Sequence, residues 1–387
     1  MTRATRSGTA ARIEIPAVGL DFSMRPEWEE LRARARAVAA QGVADYGCWH
    51  DSWINGHSRE FSKVLAAEGF IGMTWPARHG GAGRPGIERL IMAEEMISVG
   101  APIAATWFAD RQMGPSIYTY GTDDQRAEFL PGILSGEASW SIGMSEPDAG
   151  SDLASLKTAA ARDGDAYVLN GQKIWTSGAA SADYCYMICR TSSDGPPHRG
   201  LSELIVPMDL DGIEVRPVRD MVGGTHFCEV FLTDVRVPAA NLVGAEGGAF
   251  KQTMVQLGYE RGGIDRLVSN RPLYDLALQH ADLSDPGIRQ EVAALETGYR
   301  LGRLLVYRGA LGEGSADFSA GTKAFCTEHQ QRVADFAARV LGPAALVGEV
   351  VPNSICYAPA YTIQGGTSAI MRNIIGERLL GLPREPR

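Results

Sequence analysis

No stretch of this chain is long and apolar enough to cross a membrane, and its first twenty residues hold no apolar signal-peptide core. There is no run of lysine or arginine, and a net charge of −9 leaves no general surface for nucleic acid. The six cysteines (Cys48, Cys185, Cys189, Cys228, Cys326 and Cys356) show neither CxxC spacing nor a disulfide framework, which predicts reduced thiols in a cytoplasmic protein. No pair among the seven histidines has zinc-ligand spacing, so no metal site is expected. A Gly-x-Ser-x-Gly elbow is missing, which leaves a serine hydrolase without support. A strand-led Gly-x-Gly-x-x-Gly is missing too, and with it the basis for a nicotinamide enzyme.

What is present is an ordinary globular composition, 45% hydrophobic and 21% charged, over 387 residues. That length allows two or three compact units with a large core. Residues 1–24 read as a flexible tail, or as an arm lying on a partner. From 25 to 137 the period is helical. Trp28, Leu31, Ala35 and Val38 share one face, with Glu29, Glu30, Arg32 and Arg34 around the rest. Ser58 is placed to cap a second helix, Ile87–Ile97 forms a third, and Thr122 opens a fourth. Pro131 is read there as starting a further turn.

From 138 to 244 short β-type runs, among them Tyr167–Leu169, Tyr184–Ile188 and Val230–Leu232, alternate with glycine, aspartate and proline. No room is left for crossover helices, so an antiparallel barrel or sandwich is expected. Helical patterning returns over 245–387. Phe250–Arg266 precedes a proline-marked stretch, and Ile288, Val292, Leu295, Leu301, Leu304 and Leu305 make one long apolar stripe.

One stretch stands out. Trp140-Ser-Ile-Gly-Met-Ser-Glu-Pro-Asp-Ala-Gly-Ser-Asp152 opens it, and Gly171-Gln-Lys-Ile-Trp-Thr-Ser-Gly178 closes it. At each end a strand-like run stops at small hydroxyl residues beside glycine, leaving donors suited to a flat polar cofactor or a phosphate. Between them, Arg162-Asp163-Gly164-Asp165 reads as a hairpin turn. Composition and spacing alone do not separate these ends from ordinary β-turns.

The two segments, in this order and at this distance, resemble the paired flavin-side signatures of the acyl-CoA dehydrogenase family. Trp75-Pro76 with Gly80-Gly81, and the passage from Tyr120 to Glu137, are similar to that family's amino-terminal domain. The resemblance covers nearly the whole chain. It implies an α+β architecture: an N-terminal helical domain, a central antiparallel β-barrel or sandwich, and a C-terminal four-helix bundle. It also implies FAD as cofactor and α,β-dehydrogenation of an acyl-CoA thioester, a base removing the α proton while the β hydrogen leaves as hydride to flavin N5.

By motif, Met144, Ser145, Trp175 and Ser177 would line the flavin ring, with Thr176 as an adjacent hydroxyl. Ser151 would meet the thioester end of the substrate, and Thr367 would approach the flavin phosphates; the bland reading of Thr367 and Ser368, a plain helix cap, is compatible with that role. Many relatives carry a glutamate base before the last Gly-Thr-Ser, but here that position is Gly365, which offers only its backbone N–H to the thioester oxygen. Other branches place the base on the first helix of the carboxy-terminal domain, just before an arginine. Glu260 is therefore the expected base, with Tyr259 and Arg261 beside it near the acyl-CoA pocket; without the resemblance it would read as a surface pair.

Two family segments that reach into a neighbour's flavin are altered here, to Asn270-Arg271-Pro272-Leu273-Tyr274 and Val340-Leu341-Gly342-Pro343-Ala344. That pattern is similar to the heteromeric α2β2 branch of actinobacteria, and it implies a homo- or hetero-oligomer in which a second subunit completes the site. An electron-transferring flavoprotein, or a similar acceptor, is implied as redox partner. A branched, long or sterol-derived acyl group is favoured. An acyl oxidase or monooxygenase on the same fold, and a non-catalytic partner subunit, are the competing readings.

Overall fold

A computed structural model describes residues 25–47, 51–261, 263–312 and 317–384, without the side chains of 258–261. The expected tail over 1–24, and Cys48, lie outside the described residues. The amino-terminal part is helical: α1 (Pro26–Tyr46), α2 (Arg59–Ala67), α3 (Gly86–Ser98), α4 (Ala104–Phe108), α5 (Gly114–Tyr120) and α6 (Asp123–Leu134). Local chemistry sets several of these ends. Ser58 accepts from the Phe61 amide at 3.1 Å, and Thr122 with Gln125 forms a capping box. Pro131 does not start a new turn; α6 runs through it to Leu134. Between α4 and α5 the chain passes through a π turn, Ala109–Met113, whose five residues are all buried.

Arg32 departs from the sequence expectation. Its guanidinium is nearly buried and bonds to Glu95 at 2.5 Å and Glu94 at 3.1 Å on α3. Glu94 also accepts from Arg303 and Tyr307 of a later helix, so this ionic cluster joins the two helical parts.

The strands are β1 (Trp140–Gly143), β2 (Ala159–Asp163), β3 (Ala166–Lys173), β4 (Tyr184–Arg190), β5 (Leu201–Pro207), β6 (Ile213–Val218), β7 (Phe227–Pro238) and β8 (Leu242–Val243). They form one sheet in the order β6-β7-β3-β2-β4-β5-β8, with β1 added alongside β4. Asp163 pairs with Ala166 across a two-residue turn in which Gly164 has φ 62°, a value that glycine adopts without strain. The pairing is antiparallel except that β1 runs parallel to β4, and β2 touches the end of β4 in the same sense. The β2–β3 hairpin and its loops bridge that parallel crossover, where a helix would be the usual link.

Strands β4 and β5 are buried on both faces. Cys185, Met187, Cys189, Leu204 and Val206 enter the sheet's own core, while the alternate residues Tyr186 and Ile205 join the helical core. The five described cysteines are free, and burial pushes the thiols of Cys185 and Cys189 up to about 11 and about 12.

The carboxy-terminal part comprises α7 (Ala249–Arg261), α8 (Asp265–Val268), α9 (Arg271–His280), α10 (Pro286–Ala310), α11 (Phe318–Leu341), α12 (Val350–Tyr361) and α13 (Ser368–Ile374). Helix α11 is central and packs on α9, α10, α12 and α13. The stretch 250–266 is two helices, with Gly263 between them, because glycine is a poor helix residue. Pro272 stands at the start of α9, where a missing N–H costs nothing, so the proline-marked stretch is helical. The buried stripe of α10 also differs from expectation. It runs through Leu295, Gly298, Tyr299, Gly302 and Val306, while Leu301 and Leu304 stay nearly half exposed. Close approach explains it: a Cβ at Gly302 would lie 2.4 Å from the Leu267 side chain, which would have to shift to admit it. No helix of the described residues is long and apolar enough to cross a membrane.

Where α7 meets the sheet, the buried Glu203 of β5 accepts from Tyr186 (2.8 Å), Gln252 (2.5 Å) and Thr253 (3.0 Å). Burial pushes this carboxyl up to about 7, and the three donors only partly offset it. A raised folded pKa favours the protonated folded state, so the stabilisation is full below the unfolded value. It is lost as pH rises through about 7, and on the order of 3 kcal/mol is involved. Thermal melts of the wild type should therefore lose a component between about pH 5 and pH 7 that Glu203→Gln lacks. Equal pH slopes for the two proteins would refute this.

Candidate active site

Three loops converge on one cavity of about 1310 Å³. The first follows β1. Glu146 is buried and accepts from the amides of Lys157 (2.6 Å) and Thr158 (2.9 Å) and from Lys173 Nζ (2.9 Å). Lys173 is fully buried at the end of β3 and also donates to the Met144 carbonyl at 3.3 Å. The Ile174 amide donates to the Ser145 carbonyl at 2.9 Å. One buried ion pair thus pins the first loop against the second. Burial alone would raise the Glu146 carboxyl, but the Lys173 charge and the converging hydrogen bonds outweigh it and hold the group below its usual range.

The second loop carries Trp175 at φ 61°, a conformation that costs a bulky residue free energy and persists only where the surroundings impose it. They do so from both sides. Ile174 is tied to Ser145, and the Thr176 amide donates to the Cys228 carbonyl at 3.0 Å. The Trp175 ring stands edge-on to Phe227 with 5.5 Å between centroids, yet remains 54% exposed. A large flat apolar face left open at a cavity wall suits a planar ligand.

The third loop links α12 to α13. Gly365 and Gly366 have φ of 67° and 98°, and buried Lys323 donates to the Gly366 carbonyl at 2.7 Å. The left-handed backbone at Gly365 disfavours any side chain there, a glutamate included. Thr367 caps α13 by accepting from the Ile370 amide at 3.2 Å.

Of the residues singled out from sequence, Met144, Ser145, Ser151, Trp175, Ser177, Gly365 and Thr367 all line this cavity. Thr176 does not: it is fully buried, and its hydroxyl has no hydrogen-bond partner among the described residues. Glu260, Tyr259 and Arg261 belong to the backbone of α7, but their side chains lie outside the described residues. Sequence reasoning missed Lys173, Glu146 and Lys323, which hold the loops, and Trp53, Phe108 and Arg266, which complete the wall. A usable signal existed for Lys173, since a lysine inside a strand-like run requires a partner if buried.

The donor set is chemically coherent. An open indole face, a thioether and two serine hydroxyls around a large concave space fit a flat ring with polar edges, and the glycine-rich third loop offers close backbone approach.

The acyl-CoA dehydrogenase N-terminal, middle and C-terminal domain families match residues 25–137, 141–235 and 250–380. The chain is 35% identical to acyl-CoA dehydrogenase IpdE1 of Mycobacterium tuberculosis, over 93% of this chain and 99% of the other. Among solved structures, the Tcur3481-Tcur3483 steroid ACAD superposes with a TM-score of 0.86 at 30% identity, covering 95% of this chain and 100% of that one. A chain of the ChsE4-ChsE5 complex from Mycobacterium tuberculosis gives a TM-score of 0.83 at 33% identity, over 94% and 100%. With its three successive parts matched and its cavity built where they meet, the chain belongs to the acyl-CoA dehydrogenase family of flavin-dependent oxidoreductases.

Proposed function

We propose that this protein removes the α and β hydrogens of an acyl-CoA thioester, with Glu260 as the base and FAD as cofactor. The observation that carries the reading is the single cavity in which the open Trp175 ring, the serines of both β-domain loops and the Gly365–Thr367 loop come together. Met144, Ser145, Trp175 and Ser177 would hold the flavin ring, and Thr367 and the Thr176 turn would position its surroundings. A flavin held there supplies the acceptor for the β hydrogen.

The remaining work falls to the chain. An α-C–H beside a thioester is a weak acid, so a carboxylate must approach it while donors stabilise the developing charge on the thioester oxygen. Glycine at 365 cannot accept a proton. Met254 and Leu257 of α7 line the cavity, and Glu260 follows Leu257 by three residues, a spacing at which helical side chains share a face. The Gly365 amide would serve the thioester oxygen, Ser151 the pantetheine end, and Tyr259 and Arg261 the acyl-CoA beside the base.

A cavity of this size supports a bulky acyl group, in keeping with the steroid ACAD among the similar structures. We also infer a second, different subunit. Arg271, at the position of a family segment that serves a neighbour, is engaged within its own chain. It pairs with Asp275 at 2.8 Å and lies over the rings of Tyr274 and Tyr299. The chain of the ChsE4-ChsE5 complex is similar over its whole length. An electron-transferring flavoprotein, or a similar acceptor, would reoxidise the flavin.

The test is the visible spectrum and native mass of the chain purified alone and co-expressed with its genomic neighbour, followed by anaerobic addition of acyl-CoA thioesters. Bleaching of bound flavin by a bulky thioester, only in the co-expressed form, is the expected result. A yellow homo-oligomer with one FAD per chain would refute the second subunit, and a flavin that no acyl-CoA bleaches would refute the dehydrogenase. Fast reoxidation by air would point to the oxidase chemistry of the same fold.

A further inference from the structure

Away from the active site, a second cavity of about 560 Å³ opens between α10 and α11, and no described residue lines both. Ala294 and Leu295 of α10 and Ala338 of α11 give it an apolar surface. Among them stands His329, which is 1% exposed and whose Nε2 has no hydrogen-bond partner among the described residues.

The fold makes room for this imidazole. A Cβ at Gly298 would lie 2.5 Å from it, so the ring occupies space that a glycine leaves open. The Tyr299 ring meets it edge-on, with 4.4 Å between centroids. Burial, reinforced by Arg332 and Arg271, holds the imidazole down at about 4. At neutral pH the ring is therefore uncharged, with one N–H to donate, and a buried ring nitrogen without a partner costs free energy.

The surrounding charges narrow the choice of ligand. Arg339 bonds to Glu291 and also interacts with Asp335. Arg271, on α9, is held by Asp275 at 2.8 Å and Glu296 at 3.7 Å. Arg332 has no ion pair among the described residues. It follows His329 by three residues on α11, a spacing at which side chains share a face, so one ligand group meets both. The charges that act on the imidazole, Arg332 and Arg271, are both positive, which favours an anionic acceptor there. Yet the cavity as a whole sets two arginines, Arg332 and Arg339, against two carboxylates, Glu291 and Asp335. A single negative charge is tolerated in that balance better than a phosphate dianion.

We propose that the α10–α11 cavity binds a small free monocarboxylate with an apolar body. His329 Nε2 and the Arg332 guanidinium receive the carboxylate, and Ala294, Leu295 and Ala338 meet the body. The site is independent of the acyl-CoA reading, since no residue named there enters it.

Cyclohexanecarboxylate, the uncharged cyclohexylmethanol and inorganic phosphate test it. Each is titrated into the full chain, isotope-labelled in its histidine rings, both alone and co-expressed with its genomic neighbour. The carboxylate should move the ring signal that is lost in His329→Gln. It should bind about ten- to hundredfold tighter than the alcohol, the span of one charge-assisted hydrogen bond. Arg332→Gln, at an exposed position, should bring that ratio close to one and leave the melting temperature unchanged. Equal binding of acid and alcohol by the wild type would overturn the proposal without any variant having to fold, and so would tighter binding of phosphate. Binding by the lone chain that disappears in the co-expressed assembly would also overturn it, because the cavity would then belong to a subunit contact.

Discussion

Glu260→Gln should lower the rate of flavin bleaching by an acyl-CoA thioester about a thousandfold or more, the scale of a positioned general base. Flavin content should be unchanged, because the residues expected to hold the ring lie on other elements, in the loops after β1 and β3. Glutamine keeps the shape and removes only the ability to accept the α proton. The measurement is stopped-flow bleaching under anaerobic conditions, compared with substrate affinity from the spectral shift on mixing. A rate loss with affinity retained identifies a group that acts in the transition state. Full activity in Glu260→Gln would remove it as the base and revive the reading of this chain as a non-catalytic partner. Moving the carboxylate instead, by Gly365→Glu, should not restore the rate, since φ of 67° at that position opposes any side chain.

The second large effect concerns the ion pair behind the cavity. Lys173→Met should cost about 3–5 kcal/mol, because it strands a buried carboxylate whose partner is gone. Lys173 is fully buried and Glu146 nearly so, and the lysine also ties the Met144 carbonyl to the end of β3. The first loop should loosen, and flavin per chain should fall along with the melting temperature. The two amides that bond to Glu146 moderate the cost but do not replace a charge. The double variant with Glu146→Gln should recover part of the stability, since no unpaired charge is then left, while flavin content stays low. A Lys173→Met protein with wild-type stability and flavin content would show that the loops hold their geometry without the pair. The pair also sets an acid limit. A depressed carboxylate contributes stability above its unfolded pKa and loses it as pH falls through the lower folded value.

What the sequence determined by itself is local. The change of period from helix to strand and back is visible because side-chain spacing of 3.6 or 2 is a property of each segment alone. Ser58, Thr122 and Thr367 cap helices because their hydroxyls meet amides three residues away. The Gly164 turn, and the long motif that announces the family, lie in continuous runs for the same reason.

Tertiary structure decided everything that depends on what a side chain meets from far along the chain. Arg32 looked like part of a solvated face, but Glu94 and Glu95 lie more than sixty residues away and bury it. The stripe of α10 turned from leucines toward Gly298 and Gly302, because packing rewards close approach over apolar area. Thr176 belongs to the signature yet faces the interior, since its own amide and that of Gly178 tie the backbone to the Cys228 and His226 carbonyls at the start of β7. Lys173 with Glu146, and Arg266 beside Trp53, follow the same rule. A charge is tolerated inside a protein only where the fold brings its partner, and no spacing along the sequence records that meeting.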